Sequence, residues 1–394
     1  MDNIPYGKQE ITAADIEAVT QTLKADYLTQ GPQIAAFEKA FAIYTGSNYA
    51  VALSNGTAAL HLSCLGLGVK EGTNVITTPI TFAASANAVR YCGGNVHFVD
   101  IDPKTYLLDL RALEELIKSK PKGYFSGVIP VNFSGKVVNI EKLQNICKPI
   151  GIWILEDACH SPGGSFTDST QKEIKAGSSA YSNASIFSFH PVKHIACGEG
   201  GMVTTNDQDL YRRLLSLRTH GITKNTEVFS NVTSLASASS NKTYPGWYME
   251  MQELGYNYRL TDIQASLGLS QLTRAEKGIE KRRAIAKRYH GAFDQKKHII
   301  GHSTYKQNHA YHLYILEVND RLGLYQHLRK NKIFTQIHYF PCHLMPYYQK
   351  LGWKKGDFPH AEKYYAHCIS IPMYPSLTEH QQQRVIANIN DYFA

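Results

Sequence analysis

The sequence predicts an α/β fold: a mostly parallel seven-stranded sheet with helices on both faces, followed by a smaller C-terminal α+β unit. Three observations lead there. Seven short apolar segments, rich in Val and Ile, recur between residues 49 and 206. Helical patterns separate several of them, and strand–helix alternation implies right-handed crossovers and parallel pairing. Beyond residue 222 the texture changes.

The strand-like segments are YAVALS (49–54), NVITTPI (74–80), VHFVDID (96–102), GVIPVNF (127–133), IWILEDA (152–158), ASIFSFH (184–190) and GMVTTN (201–206). Several are apolar on both faces, as strands covered on both sides must be. TAALHLSCLGLG (57–68), ALEELIKSK (112–120) and DLYRRLLSLR (209–218) read as the intervening helices. Residues 222–250, rich in Ser, Asn and Thr around Pro245-Gly246, read as a long surface excursion. A single long helix is expected over 262–290, with the basic run KRRAIAKR as its solvated face. Strand-like HLYILEV (312–318), a helix near 322–331, a strand near 333–339 and a closing helix near 377–393 complete the smaller unit. The expected division is a large domain over 1–261 and a small one over 262–394.

Composition narrows the function classes. The chain has 394 residues, 43% hydrophobic and 11% aromatic, enough to fill a substantial core and to exclude a disordered, collagen-like or disulfide-stapled chain. The net charge of +8 is modest and no Lys/Arg block carries it. That fits attraction for anionic small molecules and not for nucleic acid. The first twenty residues carry four acids and no apolar run, and no stretch is apolar enough to span a bilayer. Seven cysteines without C-x-x-C spacing read as free thiols in a reducing compartment, so a cytoplasmic location is expected. Asn231-Val-Thr and Asn241-Lys-Thr match the glycosylation pattern by chance.

A parallel sheet binds ligands beyond the carboxyl ends of its strands. Chemistry is therefore sought just after each apolar segment. In SFHPVKHIACGEGG (188–201), Lys193 follows a strand and precedes a Gly-rich stretch, flanked by His190 and His194. A desolvated Lys near cationic groups has a lowered pKa and can form a Schiff base. In ILEDACHSPGG (154–164), Asp157 ends an apolar strand, where a carboxylate needs a cationic partner such as a protonated cofactor ring nitrogen. In LSNGTAAL (53–60), Gly56-Thr57 opens a helix whose free N–H groups can hold a phosphate. In TPITFAAS (78–85), Phe82 could lie on an aromatic cofactor. Taken singly, each has an ordinary alternative: a surface lysine, a helix N-cap carboxylate, an ordinary strand–turn–helix unit, a core phenylalanine. No metal is expected. The pairs His190/His194 and His338/His343 are interrupted by Pro191 and Pro341, and H-E-x-x-H is absent.

In order and spacing these residues resemble the pyridoxal-phosphate sugar aminotransferases of the DegT/DnrJ/EryC1 family. The likeness runs nearly the whole length, through LTQGP (28–32), FVDIDPKTY (98–106), EDACHSPGG, SFHPVK, EGGMVTTND (199–207) and ELGYNYRLTDIQASLGLSQL (253–272). The resemblance implies the type I, aspartate-aminotransferase-like fold. It also implies pyridoxal 5'-phosphate as cofactor, with pyridoxamine phosphate as its alternate form. Lys193 would be the Schiff-base and proton-transfer residue, and Asp157 the partner of the pyridine nitrogen. Phe82 would stack on the ring, while Gly56, Thr57 and Ser188 would bind the phosphate. His160, where many relatives have Gln, would touch the cofactor hydroxyl. Asn257 would reach the cofactor of the partner subunit in a homodimer with shared sites. Tyr6, Thr29, His190, His338 and Tyr339 would face a nucleotide-linked keto sugar, with L-glutamate as amino donor. IPYGKQ (4–9), LTQGP, TPITF and IHYFPCHLMPYY (337–348) point, within the family, to amination of C4 of a UDP-linked 4-keto-6-deoxy-N-acetylhexosamine in pseudaminic acid synthesis. Relatives that are sugar dehydratases replace the lysine by His, so Lys193 argues against that chemistry.

Overall fold

The doubly apolar segments become strands of one buried sheet. The computed structural model describes residues 2–231 and 244–394, so the centre of the polar excursion, with Asn241, lies outside the described residues. In chain order come β1 (Tyr49–Leu53), β2 (Asn74–Thr77), β3 (Asn95–Phe98), β4 (Phe125–Ile129) and β5 (Trp153–Asp157). A hairpin of β6 (Ser165–Thr167) and β7 (Glu173–Lys175) precedes β8 (Ala184–Ser188) and β9 (Gly201–Thr205). The seven-stranded sheet has the order β1-β9-β8-β5-β4-β2-β3. Its strands from β3 across to β8 pair in parallel. β9 runs antiparallel to both β8 and β1.

Helices cover the sheet. α1 (Ala13–Leu23) and α2 (Pro32–Thr45) precede it. α3 (Gly56–Gly66), α4 (Ala84–Tyr91), α5 (Leu110–Lys118), α6 (Ile140–Cys147) and α7 (Gln208–Arg218) follow β1, β2, β3, β4 and β9. The alternation alone does not single out α1, α2, α4 or α6. The largest core gathers around this sheet, with Phe37, Phe41, Phe187 and Phe189 packed ring to ring. Burying such a ring stabilises the fold by about 1.5–3 kcal/mol. A short pair of strands, β10 (Ile222–Thr223) and β11 (Glu250–Met251), brackets the excursion.

The helix expected over 262–290 is two: α8 (Asp262–Leu272) and α9 (Ala275–Phe293). The break falls at Thr273-Arg274, where Arg274 leaves helical geometry and its guanidinium binds the Asp15 carboxylate and the Glu10 carbonyl. α8 thereby packs on α1 and α2, and Asp262 accepts from the Gly31 and Gln33 N–H groups at 2.7 and 2.9 Å. The basic run is not wholly solvated either. Arg282 is 1% exposed, and its Nη1 donates to the carbonyls of Tyr311 (3.1 Å) and Met373 (2.9 Å). Burial without a carboxylate partner pushes its pKa down to about 9.

Beyond α9 lie β12 (Ile299–His302), β13 (Tyr314–Val318), α10 (Arg321–Lys330), α11 (Pro346–Gln349), α12 (Pro359–His367), β14 (Cys368–Ile371) and α13 (Glu379–Tyr392). β12, β13 and β14 form an antiparallel sheet over a second core that includes Tyr289, Tyr314, Leu316, Ile369 and Ile389. The strand expected near 333–339 is reduced to single bridges, Ile4 with Ile333 and Gln336 with Ser370. Ile4 is fully buried in this second core. That anchor carries the N-terminal segment across the C-terminal unit and sets Tyr6 beside Met373, whose N–H donates to the Tyr6 carbonyl at 2.9 Å. All seven cysteines are free. Among the described residues, no helix is long and apolar enough to cross a membrane.

Candidate active site

Strand alternation sorts the two acids that end β5. Glu156 turns into the core, where Asn132 Nδ2, Ser185 Oγ and the Gly177 N–H donate to it at 2.7, 2.6 and 3.1 Å. Desolvation nevertheless raises its pKa. Asp157 turns the other way, into a cavity of about 880 Å³ at the carboxyl edge of the sheet. Ser85 Oγ donates to its Oδ2 at 2.7 Å and the Cys159 N–H to its Oδ1 at 3.2 Å. No helix begins there, so the carboxylate is not an N-cap.

The cavity's next wall is the start of α3. Asn55 Oδ1 accepts from the Ala58 N–H at 2.8 Å, while Gly56 and Thr57 keep the first-turn donors that no helix satisfies internally. Two glycines make the approach possible. A Cβ at Gly56 would lie 3.0 Å from Ser188 Cβ, and one at Gly201 would lie 2.3 Å from the Asn55 carbonyl oxygen. Ser188, ending β8, lines the same wall.

Lys193 stands in the turn after β8, its N–H bound to the His190 carbonyl at 2.8 Å. Desolvation lowers its pKa, and the Arg282 charge works in the same direction against the attraction of Asp157. Around it the imidazoles are held neutral. Burial puts His160, His194 and His312 well below the ordinary histidine range, and His338 at about 3. His160 Nε2 bonds Tyr339 Oη at 3.2 Å, its ring lies 4.2 Å from that of His312, and its buried Nδ1 has no hydrogen-bond partner among the described residues. His338 Nδ1 bonds Ser370 Oγ at 2.9 Å.

Of the residues singled out in the sequence, Tyr6, Gly56, Thr57, Phe82, Asp157, His160, Ser188, His190, Lys193, His338 and Tyr339 line this one cavity. Phe82 is 63% exposed, its ring tilted against that of Tyr339 at 6.1 Å with neither face covered by a stacked ring, which the core reading does not explain. Thr29 and Asn257 do not line it. Both are exposed, tied by backbone bridges to Thr261 and Thr219. Sequence reasoning passed over Ser85, Asn55 and His312. Ser85 lies only three residues beyond Phe82, but nothing in TPITFAAS marks it as the partner of a carboxylate 72 positions away. His312 opens the segment HLYILEV and enters the site only because β13 carries it there.

Fold and cavity define an α/β enzyme whose site sits around a lysine, a carboxylate and a phosphate-sized cradle at a helix N-terminus. The chain belongs to the DegT/DnrJ/EryC1/StrS aminotransferase family, whose profile matches residues 9–390. It is 35% identical over 397 aligned positions to the spore coat polysaccharide biosynthesis protein SpsC of Bacillus subtilis, covering 98% of this chain and 96% of that one. It is 33% identical to the UDP-4-amino-4,6-dideoxy-N-acetyl-beta-L-altrosamine transaminase of Campylobacter jejuni, with 95% and 93% covered. Helicobacter pylori PseC, an aminotransferase involved in the biosynthesis of pseudoaminic acid, superposes with a TM-score of 0.86 at 27% identity over 100% of this chain and 99% of that one. Spr1654 of Streptococcus pneumoniae, in its PLP-form, superposes with a TM-score of 0.86 at 26% identity, covering 99% and 98%.

The protein is therefore a pyridoxal-phosphate-dependent sugar aminotransferase with the type I fold. Its own residues fit that cofactor. The exposed Phe82 ring, a glycine-lined helix N-terminus and the Asp157 carboxylate face the space beside Lys193, and the His160 ring borders it.

Proposed function

We propose that this chain transfers an amino group from L-glutamate to C4 of a UDP-linked 4-keto-6-deoxy-N-acetylhexosamine, giving a 4-amino sugar nucleotide for a pseudaminic acid-type glycan. The observation that carries this reading is the near full-length likeness to two Campylobacter jejuni transaminases whose names specify that product class, each 33% identical. The PseC superposition agrees with it, while Spr1654 superposes equally well, so the sequence likeness carries the substrate reading.

When bound, pyridoxal phosphate supplies the electron sink that lets a carbon beside nitrogen lose its proton. Lys193 would hold the carbonyl end of the cofactor and then move that proton, desolvation lowering the pKa of its amine. Asp157, oriented by Ser85, would keep the ring nitrogen protonated. Phe82 would stack on the ring, and His160 would face its hydroxyl. Gly56, Thr57 and Ser188 would hold the phosphate. Tyr6, His190, His338 and Tyr339 form the sugar side, where the buried His338 imidazole, its pKa lowered to about 3, adds no positive charge beside Lys193. Asn257 and Thr29, off this chain's cavity, serve the site of a second copy in a homodimer. The apolar side chains left uncovered at Tyr27, Leu28, Met251 and Leu254 support that pairing.

A second reading takes another nucleotide-linked 4-keto or 3-keto sugar as acceptor: SpsC, 35% identical, is named for spore coat polysaccharide biosynthesis and for no pseudaminic acid step. The deciding experiment incubates the enzyme with glutamate and a panel of UDP- and dTDP-linked keto sugars and follows products by mass spectrometry. The proposal expects the best kcat/KM with the UDP-linked 2-acetamido-4-keto substrate. Equal or better turnover of a dTDP-linked 4-keto-6-deoxyglucose rejects the substrate and leaves the family standing.

A further inference from the structure

Away from the cavity, three side chains with metal-binding atoms converge at the end of α9. His290 and Asp294 are four residues apart, so the helical repeat sets them on one face, Asp294 being the residue at which the helix stops. His302 closes β12 opposite them, fixed by the pairing of β12 with β13, where it faces Leu316. One ligand atom from each of the three lies within 4.8 Å of the others. His302 Nε2 stands 3.7 Å from Asp294 Oδ1, and the His290 and His302 ring centroids are 5.1 Å apart. None of the three lines the cavity around Lys193.

Two details argue against an ordinary ion pair. At 3.7 Å the His302–Asp294 contact is too long for a hydrogen bond. And, among the described residues, the buried His290 Nδ1 has no hydrogen-bond partner, a condition that costs stability unless something else occupies its lone pair or proton. His302 is already arranged as a ligand. Its Nδ1 bonds the Ser303 carbonyl at 3.2 Å, which puts the proton there and directs the Nε2 lone pair at Asp294.

We propose that His290, Asp294 and His302 bind a divalent cation of borderline softness, Zn²⁺ being the best match. Two imidazoles and one carboxylate are the donors such ions take, whereas Mg²⁺ and Ca²⁺ require oxygen sets. Metal–ligand bonds of about 2.0–2.1 Å in a tetrahedron put neighbouring donors roughly 3.3 Å apart. The observed 3.7 Å therefore closes with a small side-chain shift. Asp294 is half-exposed, leaving the fourth position to water. The ion ties the end of α9 to β12. It thereby braces the helix whose Arg282 holds the carbonyls of Tyr311 and His312, and its role is structural. The sequence hid this site because its ligands fall on a helix end and a separate strand, with no short motif.

The test uses the full-length protein stripped with EDTA, then titrated with Zn²⁺ against a chromophoric chelator and, separately, with Co²⁺. The chain has 17 histidines, so weak background binding is expected and the variants decide. Wild type should bind one Zn²⁺ at least roughly tenfold more tightly than His290→Ala or His302→Ala. It should also give the intense visible Co²⁺ band of a four- or five-coordinate site, which both variants lose. Zn²⁺ should raise the melting temperature of wild type and not of the variants. His302→Gln and Asp294→Asn, which perturb packing least, stand in if an alanine variant fails to fold. Equal affinity and equal Co²⁺ spectra in wild type and His302→Gln, or no stripped wild-type site stronger than the background, overturn the proposal.

Discussion

The two ends of the active-site cavity are built differently. At the inner end, Asp157 and Ser188 are terminal residues of parallel strands, Gly56 opens a helix that follows another, and Lys193 sits in the turn after β8. Each position is dictated by the sheet, and Asp157 is fixed by Ser85 and the Cys159 N–H. At the mouth, Tyr6 comes from the N-terminal segment, and Gln336, His338 and Tyr339 from a stretch held by one bridge to β14 and by the Tyr364 hydroxyl donating to the His338 carbonyl at 2.7 Å. His190 is exposed. The inner end repeats a backbone geometry, while the mouth depends on how distant segments happen to meet. The proposed roles put chemistry at the first and specificity at the second.

The largest expected effects lie at the inner end. Lys193→Ala should lower amination by on the order of 10⁴-fold, measured as product per minute with saturating glutamate and keto sugar. The protein should still bind cofactor through Asp157 and the α3 cradle. Asp157→Asn keeps the shape and removes the charge, so a loss on the order of 10³-fold is expected. Near wild-type turnover there would mean the carboxylate is structural and would erase the distinction between the two ends. Both variants should melt close to wild type.

The shared-site proposal is tested by mixing two inactive chains, Lys193→Ala and Asn257→Asp. Random pairing makes half the dimers mixed, each with one intact site of two, so roughly a quarter of wild-type activity should return if the interface is isologous. If Asn257 serves its own chain, every site carries a lesion and nothing returns.

Smaller effects belong to the mouth. Tyr339→Phe removes the hydroxyl bonded to His160 and should raise KM for the sugar nucleotide by about tenfold with little change in kcat. A fall in kcat with unchanged KM would place Tyr339 in the inner machinery instead.

What could be read from the chain follows the same division. The strands were legible because a sheet covered on both faces needs runs of Val and Ile, and Lys193, Asp157 and Gly56 were legible because they stand directly after such runs. Ser85 and His312 were not, since their roles exist only across the fold. The break between α8 and α9 escaped because Arg274 answers to Asp15, some 260 residues away, and not to its own helix. Arg282 was misread as solvated because charge alone does not tell which face of a helix turns inward.

A separate effect is on stability. His338 and His309 both have pKa values of about 3 through burial. The unfolded chain takes up their protons from about pH 6.5 downward, the folded chain only near pH 3. Stability should therefore be unaffected by them above that range and fall as pH drops, by about 1.4 kcal/mol per unit for each group. Denaturant melts between pH 7 and 5 should show the slope, and His309→Asn should make it shallower.

The most direct test of the central claim is where the cofactor attaches. Borohydride reduction of the holoenzyme, followed by proteolysis and mass mapping, should place the phosphopyridoxyl group on the peptide that contains Lys193, with no label in Lys193→Ala. Recovery of that group on any other lysine would contradict the account of the inner end.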